Sequence, residues 1–141
     1  EAEAAERKAL SLGGSGIAAI AWSDLAVLHE AQGRYEQSVE ALQRAIEVTQ
    51  AGHARARLLS NLGAVEQRLR RFEDAVVHLR QAVQEMESAA GPRHPDVATI
   101  IELYSAALRH AGRRSEAKQA AQRAKEIRSL LGATVDWRDV R

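Results

Sequence analysis

No cysteine occurs in this chain of 141 residues, which excludes structural disulfides, thiolate metal sites and a cysteine nucleophile. Aromatic residues make up only 4%, and single-stranded nucleic acid needs exposed rings on which its bases can stack. Proline occurs only at Pro92 and Pro95, so the breaks it imposes fall in one linker. Neither sign of charge dominates: the net charge of +1 gives no field that would steer the chain to nucleic acid or an anionic membrane. No run approaches the roughly 20 apolar residues of a membrane span, and no basic-then-apolar start reads as a signal peptide. The chain begins at Glu1 and not at a methionine, which fits a processed form or a piece of a longer protein. The sequence does not name the compartment; for a soluble chain the cytoplasm is the favoured expectation.

What is present is alanine, aliphatic residues and balanced charge. Apolar residues reach 45% and charged residues 28%, proportions of a folded globular chain and not of a disordered one. Alanine favours helix, while the β-branched and aromatic residues that mark strands are sparse. The length suits one domain, or one continuous stack of repeats, with a core of its own.

Three stretches align without a gap: WSDLAVLHEAQGRYEQSVEALQRA from Trp22, LSNLGAVEQRLRRFEDAVVHLRQA from Leu59, and IELYSAALRHAGRRSEAKQAAQRA from Ile101. Each opens on a large apolar residue (Trp22, Leu59, Ile101). Another follows three places on (Leu25, Leu62, Tyr104), and then at once a small one (Ala26, Gly63, Ser105). Small residues recur at Ser38, Ala75 and Ala117, and again at Ala45, Ala82 and Ala124. Periodicity supports helices independently, since Val39, Leu42 and Ile46 share one face, as do Val76, Leu79, Val83 and Met86.

This order resembles the tetratricopeptide repeat, in which two antiparallel helices pair and small residues let neighbouring backbones approach. The steps from Leu25 to Leu62 and from Leu62 to Tyr104 are 37 and 42 residues, against a basic period of about 34. The linker GPRHPDVAT, from Gly91 to Thr99, is similar to that of kinesin-light-chain-type repeats. Its local physics is clear: Gly91-Pro92 breaks a helix, His94 can precede the next, Pro95 suits a first helical position, and Asp96 favours the positive helix end.

The expected fold is all-α: one tetratricopeptide superhelix of about seven antiparallel helices in roughly 3.5 repeats. It divides into a half repeat at 1–12, full repeats at 17–50, 54–89 and 95–131, and a tail at 132–141. Helices are expected near 2–12, 17–31, 35–50, 54–69, 72–89, 95–110 and 114–131, with Gly13-Gly14-Ser15-Gly16 as a flexible turn. The half repeat rests on Ala2 and Ala9 at the two small positions. Departures from the family pattern stand at His29 and Glu66, where only Leu108 keeps the large residue. They stand also at Gln50, Glu87 and Ser129 in place of a closing proline, and at Arg114 where Tyr35 and Phe72 stand in the other repeats. In the tail, Val135 and Trp137 alternate, and Trp137 is expected to act as a structural cap.

Catalysis finds no constellation. The histidines His29, His53, His78, His94 and His110 never fall three or four apart on one helix, so they read as surface or turn residues and no metal is expected. Glu1, Glu3 and Glu6, and Glu85 with Glu87, read as solvated faces, and no pocket holding two carboxyls at fixed separation is implied. The glycine-rich turn lacks the lysine and preceding strand of a phosphate loop. No cofactor is expected, and the chain is not read as an enzyme.

The resemblance implies function on the concave face, formed in such arrays by the first helix of each repeat. Projection gives its lining as Ile20, Ser23, Asp24, Val27 and Glu30; then Arg57, Ser60, Asn61, Ala64, Gln67 and Arg68; then Thr99, Glu102, Leu103, Ala106, Arg109 and His110. The residues expected to touch a partner are Ser23, Asp24, Val27, Arg57, Ser60, Asn61, Ala64, Arg68, Glu102 and Arg109. In kinesin-light-chain-like repeats an asparagine at the place of Asn61 recurs, where its amide can pair with the backbone of an extended peptide. The carboxylate clamp of chaperone-binding relatives needs Lys, Asn and Arg where this chain has Ser23, Val27, Ser60, Ala64, Glu102 and Ala106, so that clamp is absent. The leading expectation is a scaffold for an extended or acidic peptide or a partner protein. A self-association module working through the N-terminal helix edge is the alternative. Nucleic-acid binding through Arg55, Arg57, Arg68, Arg70, Arg71, Arg113 and Arg114 is the remote third reading, and no membrane contact is expected.

Overall fold

A computed structural model describes residues 14–133, and these form six α-helices: α1 (Ser15–Ala31), α2 (Tyr35–Glu47), α3 (His53–Arg68), α4 (Phe72–Ala90), α5 (Pro95–His110) and α6 (Arg114–Ala133). The expected half repeat at 1–12 and the tail with Val135 and Trp137 lie outside the described residues. The helices pair as α1 with α2, α3 with α4 and α5 with α6. Each pair then packs on the next through α2 against α3 and α4 against α5, while α3 also touches α5. This is a stack of three helical hairpins. The alignment of three repeats thus translates directly into three equivalent units.

The small residues sit where the helices of one hairpin approach. In the first repeat the Ser38 hydroxyl donates to the Ala26 carbonyl at 2.9 Å, and in the third the Ser105 hydroxyl donates to the Ala117 carbonyl at 2.8 Å. These are the same two positions with donor and acceptor helix exchanged. A buried serine therefore satisfies its own hydroxyl at the crossing. Replacing Ser38 by Ala is expected to remove about 1 kcal/mol of stability, read as a lowered urea midpoint with unchanged denaturant slope.

The turn inside each hairpin is also repeated. Residues Gly33, Arg70 and Gly112 hold positive φ angles of 72, 61 and 82°. The following amides close the helix end on His29, Glu66 and Leu108, five residues back, at 2.8 to 2.9 Å. That 6→1 bond is the Schellman closure. Arg70 adopts the left-handed conformation despite its side chain, at a cost of about 1 kcal/mol.

Two apolar clusters run through the stack. The first joins Trp22, Ala26, Val39, Leu42 and Ala45 with Leu58, Leu62 and Val65; the second joins Leu59, Val76, Leu79, Met86, Ile100, Ile101, Leu108 and Ile127. Because α3 contributes to both, it couples the hairpins on either side. Gly63 marks a close contact between α3 and α4. A Cβ placed there would lie 2.5 Å from Cγ and 2.8 Å from Cδ2 of Leu79.

Several helix boundaries differ from expectation by one to three residues, among them the end of α6, which runs on to Ala133. Ser15 and Gly16 belong to the first turn of α1 and not to a flexible turn, because the Gly14 carbonyl accepts from Ile17 and Ala18. α2 ends at Glu47, three residues early, where the Thr49 amide closes a tighter bond on Ile46 and its hydroxyl donates to the Ala45 carbonyl at 2.6 Å. The start of α5 matches the expectation from its linker: His94 caps it by accepting from the Asp96 amide at 3.1 Å, and Pro95 takes the first helical position.

Candidate functional site

The expected contact residues do not form one continuous surface. Ser23 and Asp24 of α1 meet Arg57 and Asn61 of α3 across an open cavity of about 550 Å³. Ile20, Leu58 and, in the α2–α3 connection, the floor residues Val48, Thr49 and Gln50 line it as well. Sequence projection found the helical walls and missed this floor. The connection departs from helix periodicity, so no pattern assigned it to a face.

The remaining expected residues stand elsewhere. Val27 is exposed on α1, Ala64 is half-buried, and Ser60 is only 8% exposed, inside the helix packing. Arg68 turns toward the first repeat, where its guanidinium stacks over the Tyr35 ring at 5.7 Å and lies 4.0 Å from Glu30. Glu102 is engaged by Arg128 of α6 at 2.6 Å, and that hydrogen bond holds its carboxyl below the usual carboxylate range. Arg109 is exposed in the last turn of α5.

Rigid supports fix the α3 wall from behind. The Arg55 Nε donates to both oxygens of Glu85 on α4 at 2.9 and 3.0 Å, which lowers the Glu85 pKa and raises that of Arg55. Glu85 and Glu87 are therefore not a solvated face: Glu85 is half-buried under Arg55, and Glu87 pairs with Arg123 of α6. His78 is likewise not a free surface residue, though its side chain keeps 27% exposure. Its Nδ1 lies 2.6 Å from Oε1 of Glu66, a carboxyl only 3% exposed, and this hydrogen bond raises the His78 pKa against the opposing effect of burial. On the α5 side, His53 bonds Asp96 at 3.1 Å and Gln67 donates to the Leu103 carbonyl at 3.4 Å.

The lining offers two side-chain amides (Asn61 and Gln50), one guanidinium (Arg57) and one carboxylate (Asp24) beside aliphatic side chains. A few polar groups set among apolar ones can orient a bound segment. Among the described residues no helix is long and apolar enough to cross a membrane.

Comparison with known proteins agrees with the repeat architecture. The family description tetratricopeptide repeat matches residues 54–129 and, separately, residues 19–50. No curated protein shows a match. Among solved structures, a kinesin-light-chain-like protein of nearly identical TPR-like repeats from Podosopora anserina aligns with a TM-score of 0.70 at 20% identity, covering 81% of this chain and 56% of that one. A variant of that protein gives 0.72 at 19% identity, with 82% and 57% covered. BtubC (BKLC) from P. vanneervenii gives 0.59 at 18% identity, with 93% and 72% covered. The present chain thus spans little more than half the length of the Podosopora protein. Tetratricopeptide arrays are in general protein-interaction scaffolds without catalytic activity of their own. With three hairpins stacked in register and both stretches matched, the chain belongs to the tetratricopeptide repeat family, with a fold shared by kinesin-light-chain-like repeat proteins.

Proposed function

We propose that the chain captures an extended polypeptide in the groove between α1 and α3. The observation that carries this reading is the meeting of Ser23, Asp24, Arg57 and Asn61 around one cavity that Ile20, Val48 and Leu58 also line. An exposed asparagine amide presents both a donor pair and an acceptor, which matches the alternating carbonyl and amide groups of an extended backbone. Ile20, 64% exposed, supplies contact area for an aliphatic side chain, and Arg57 favours a carboxylate nearby. A short segment with an apolar residue beside an acidic one is the fitting ligand.

The nucleic-acid reading loses support because most of its arginines are occupied. Arg55 pairs with Glu85, Arg71 with Glu36, and Arg113 with Glu73 and Glu116, while Arg68 lies over Tyr35.

Selection from a displayed library of random twelve-residue peptides tests the groove. Enriched peptides are expected to carry an apolar-acidic pair and to lose about tenfold in affinity on Asn61→Ala, the worth of one good hydrogen bond. Fluorescence polarisation with the selected peptides reads this directly. Equal binding to wild type and to an Asn61→Ala/Arg57→Glu double variant overturns the groove assignment.

A further inference from the structure

The aligned repeats set the two helical walls of the groove in register. Ile20 on α1 and Arg57 on α3 hold equivalent places, as do Asp24 and Asn61 one helical turn further on. One level of the groove therefore carries an aliphatic side chain and a cation, and the next carries an anion and an amide. All four side chains are exposed. Among the described residues neither Asp24 nor Arg57 makes an ion pair or a side-chain hydrogen bond. Other charges expected on this face are already engaged: Arg68 lies 4.0 Å from Glu30, and Glu102 is held by Arg128.

The spacing of the two levels fits an extended chain. Four residues of helix rise about 6 Å, and two residues of strand advance about 6.6 Å. Successive side chains of an extended segment point to opposite sides. A residue seated against Ile20 is then followed by one turned to Arg57 on the other wall, and the third returns to the α1 wall at Asp24. A carboxylate suits the second place and a cation the third. A segment bearing acidic residues alone would gain at Arg57 and lose at Asp24, because both charges line one cavity and an approach of like charges disfavours the wrong ligand.

We infer that the α1–α3 groove selects a charge order in its ligand: an aliphatic residue, an acidic one and a basic one in succession, running along the groove from Ile20 toward Asp24. This deepens the proposed capture of an extended polypeptide and rests on it. Arg57 and Ile20 account for the apolar–acidic pair. Asp24 adds the cation, two places from the aliphatic residue.

The test selects a displayed library of random twelve-residue peptides in parallel against the full chain and against Asp24→Lys. Asp24 is exposed in α1, so helical circular dichroism should be retained in the variant. The wild-type pool is expected to carry Lys or Arg two places from the aliphatic residue with Asp or Glu between them, in either chain direction. The Asp24→Lys pool should keep the apolar–acidic pair and carry a second acid where the base stood. In fluorescence polarisation a peptide from the wild-type pool should lose about fivefold or more in affinity on Asp24→Lys, the upper end for an exposed ion pair, and regain it when its basic residue is changed to Glu. Two pools without that exchange, or a wild-type pool with no basic residue at that spacing, overturn the charge order; if their peptides still weaken on Asn61→Ala, the groove itself stands. Peptides that bind equally to wild type and to the Asn61→Ala/Arg57→Glu double variant remove the groove, and the charge order with it.

Discussion

Gly63→Leu is expected to cost at least 1 to 3 kcal/mol of folding stability, about what overpacking a close-packed core removes. The contact in question is asymmetric. Gly63 on α3 offers only backbone to α4, and the branch point of Leu79 occupies the space a Cβ would need, 2.5 Å away. Leu79 has no exposed surface and is surrounded by the second apolar cluster, so it cannot swing aside as a long flexible chain would. The hairpin must open, or Leu79 must leave its rotamer.

The mechanism separates from a general intolerance of α3 by a double-mutant cycle. Leu79→Ala alone should cost about 2 to 5 kcal/mol through lost burial and a cavity. Placed together with Gly63→Leu, the new side chain enters the space the old one left, and the double variant should be more stable than the sum of the single losses. Chemical denaturation of all four proteins reads the coupling. Additive losses would mean that the two positions do not compete for one volume.

How far the fold could be read from sequence follows from which residues act within one hairpin. The small residues at Ala26, Gly63 and Ser105, and at Ser38, Ala75 and Ala117, placed the crossings, because close backbone approach demands them wherever the side chains around them vary. Pro95 and His94 placed the start of α5, since proline at a first helical turn has few alternatives. Contacts between elements were less visible. Glu66 looked like a defect in the repeat pattern and His78 like a surface residue, because the hydrogen bond joining them spans two helices and no periodicity links them. The groove divides the same way. Its helical walls followed from repeat register, whereas the floor at Val48, Thr49 and Gln50 depended on where α2 stops, and the turn formed by Thr49 was not written in the apolar pattern.

The Glu66–His78 pair carries the second large effect, and its neighbours in the stack define the control. A carboxyl 3% exposed is tolerated because His78 Nδ1 meets it at 2.6 Å. His78→Ala strips that partner from a buried charge and is expected to cost about 3 kcal/mol, the lower end for breaking a buried pair since His78 itself is partly open to water. The third repeat solves the same position apolarly, with Leu108 fully buried and Ala120 in the place of His78. Copying that solution as Glu66→Leu/His78→Ala should return stability to wild type or above it. If the double variant stays as unstable as His78→Ala alone, the pair is not the cause.

The pair also has a pH signature. Its hydrogen bond with Glu66, aided by the charges of Glu66 and Asp74 and opposed by burial, raises the His78 pKa above the ordinary 6.5. A raised folded pKa means the native state binds the proton more tightly than the unfolded chain does. The stabilisation is then complete below about 6.5 and is lost as pH rises through the folded value. Denaturation midpoints of wild type, measured from mildly acidic to mildly alkaline pH, should therefore fall relative to those of the double variant, which lacks both titrating groups. A difference that stays flat, or grows toward alkaline pH, would show that His78 gains no proton affinity on folding.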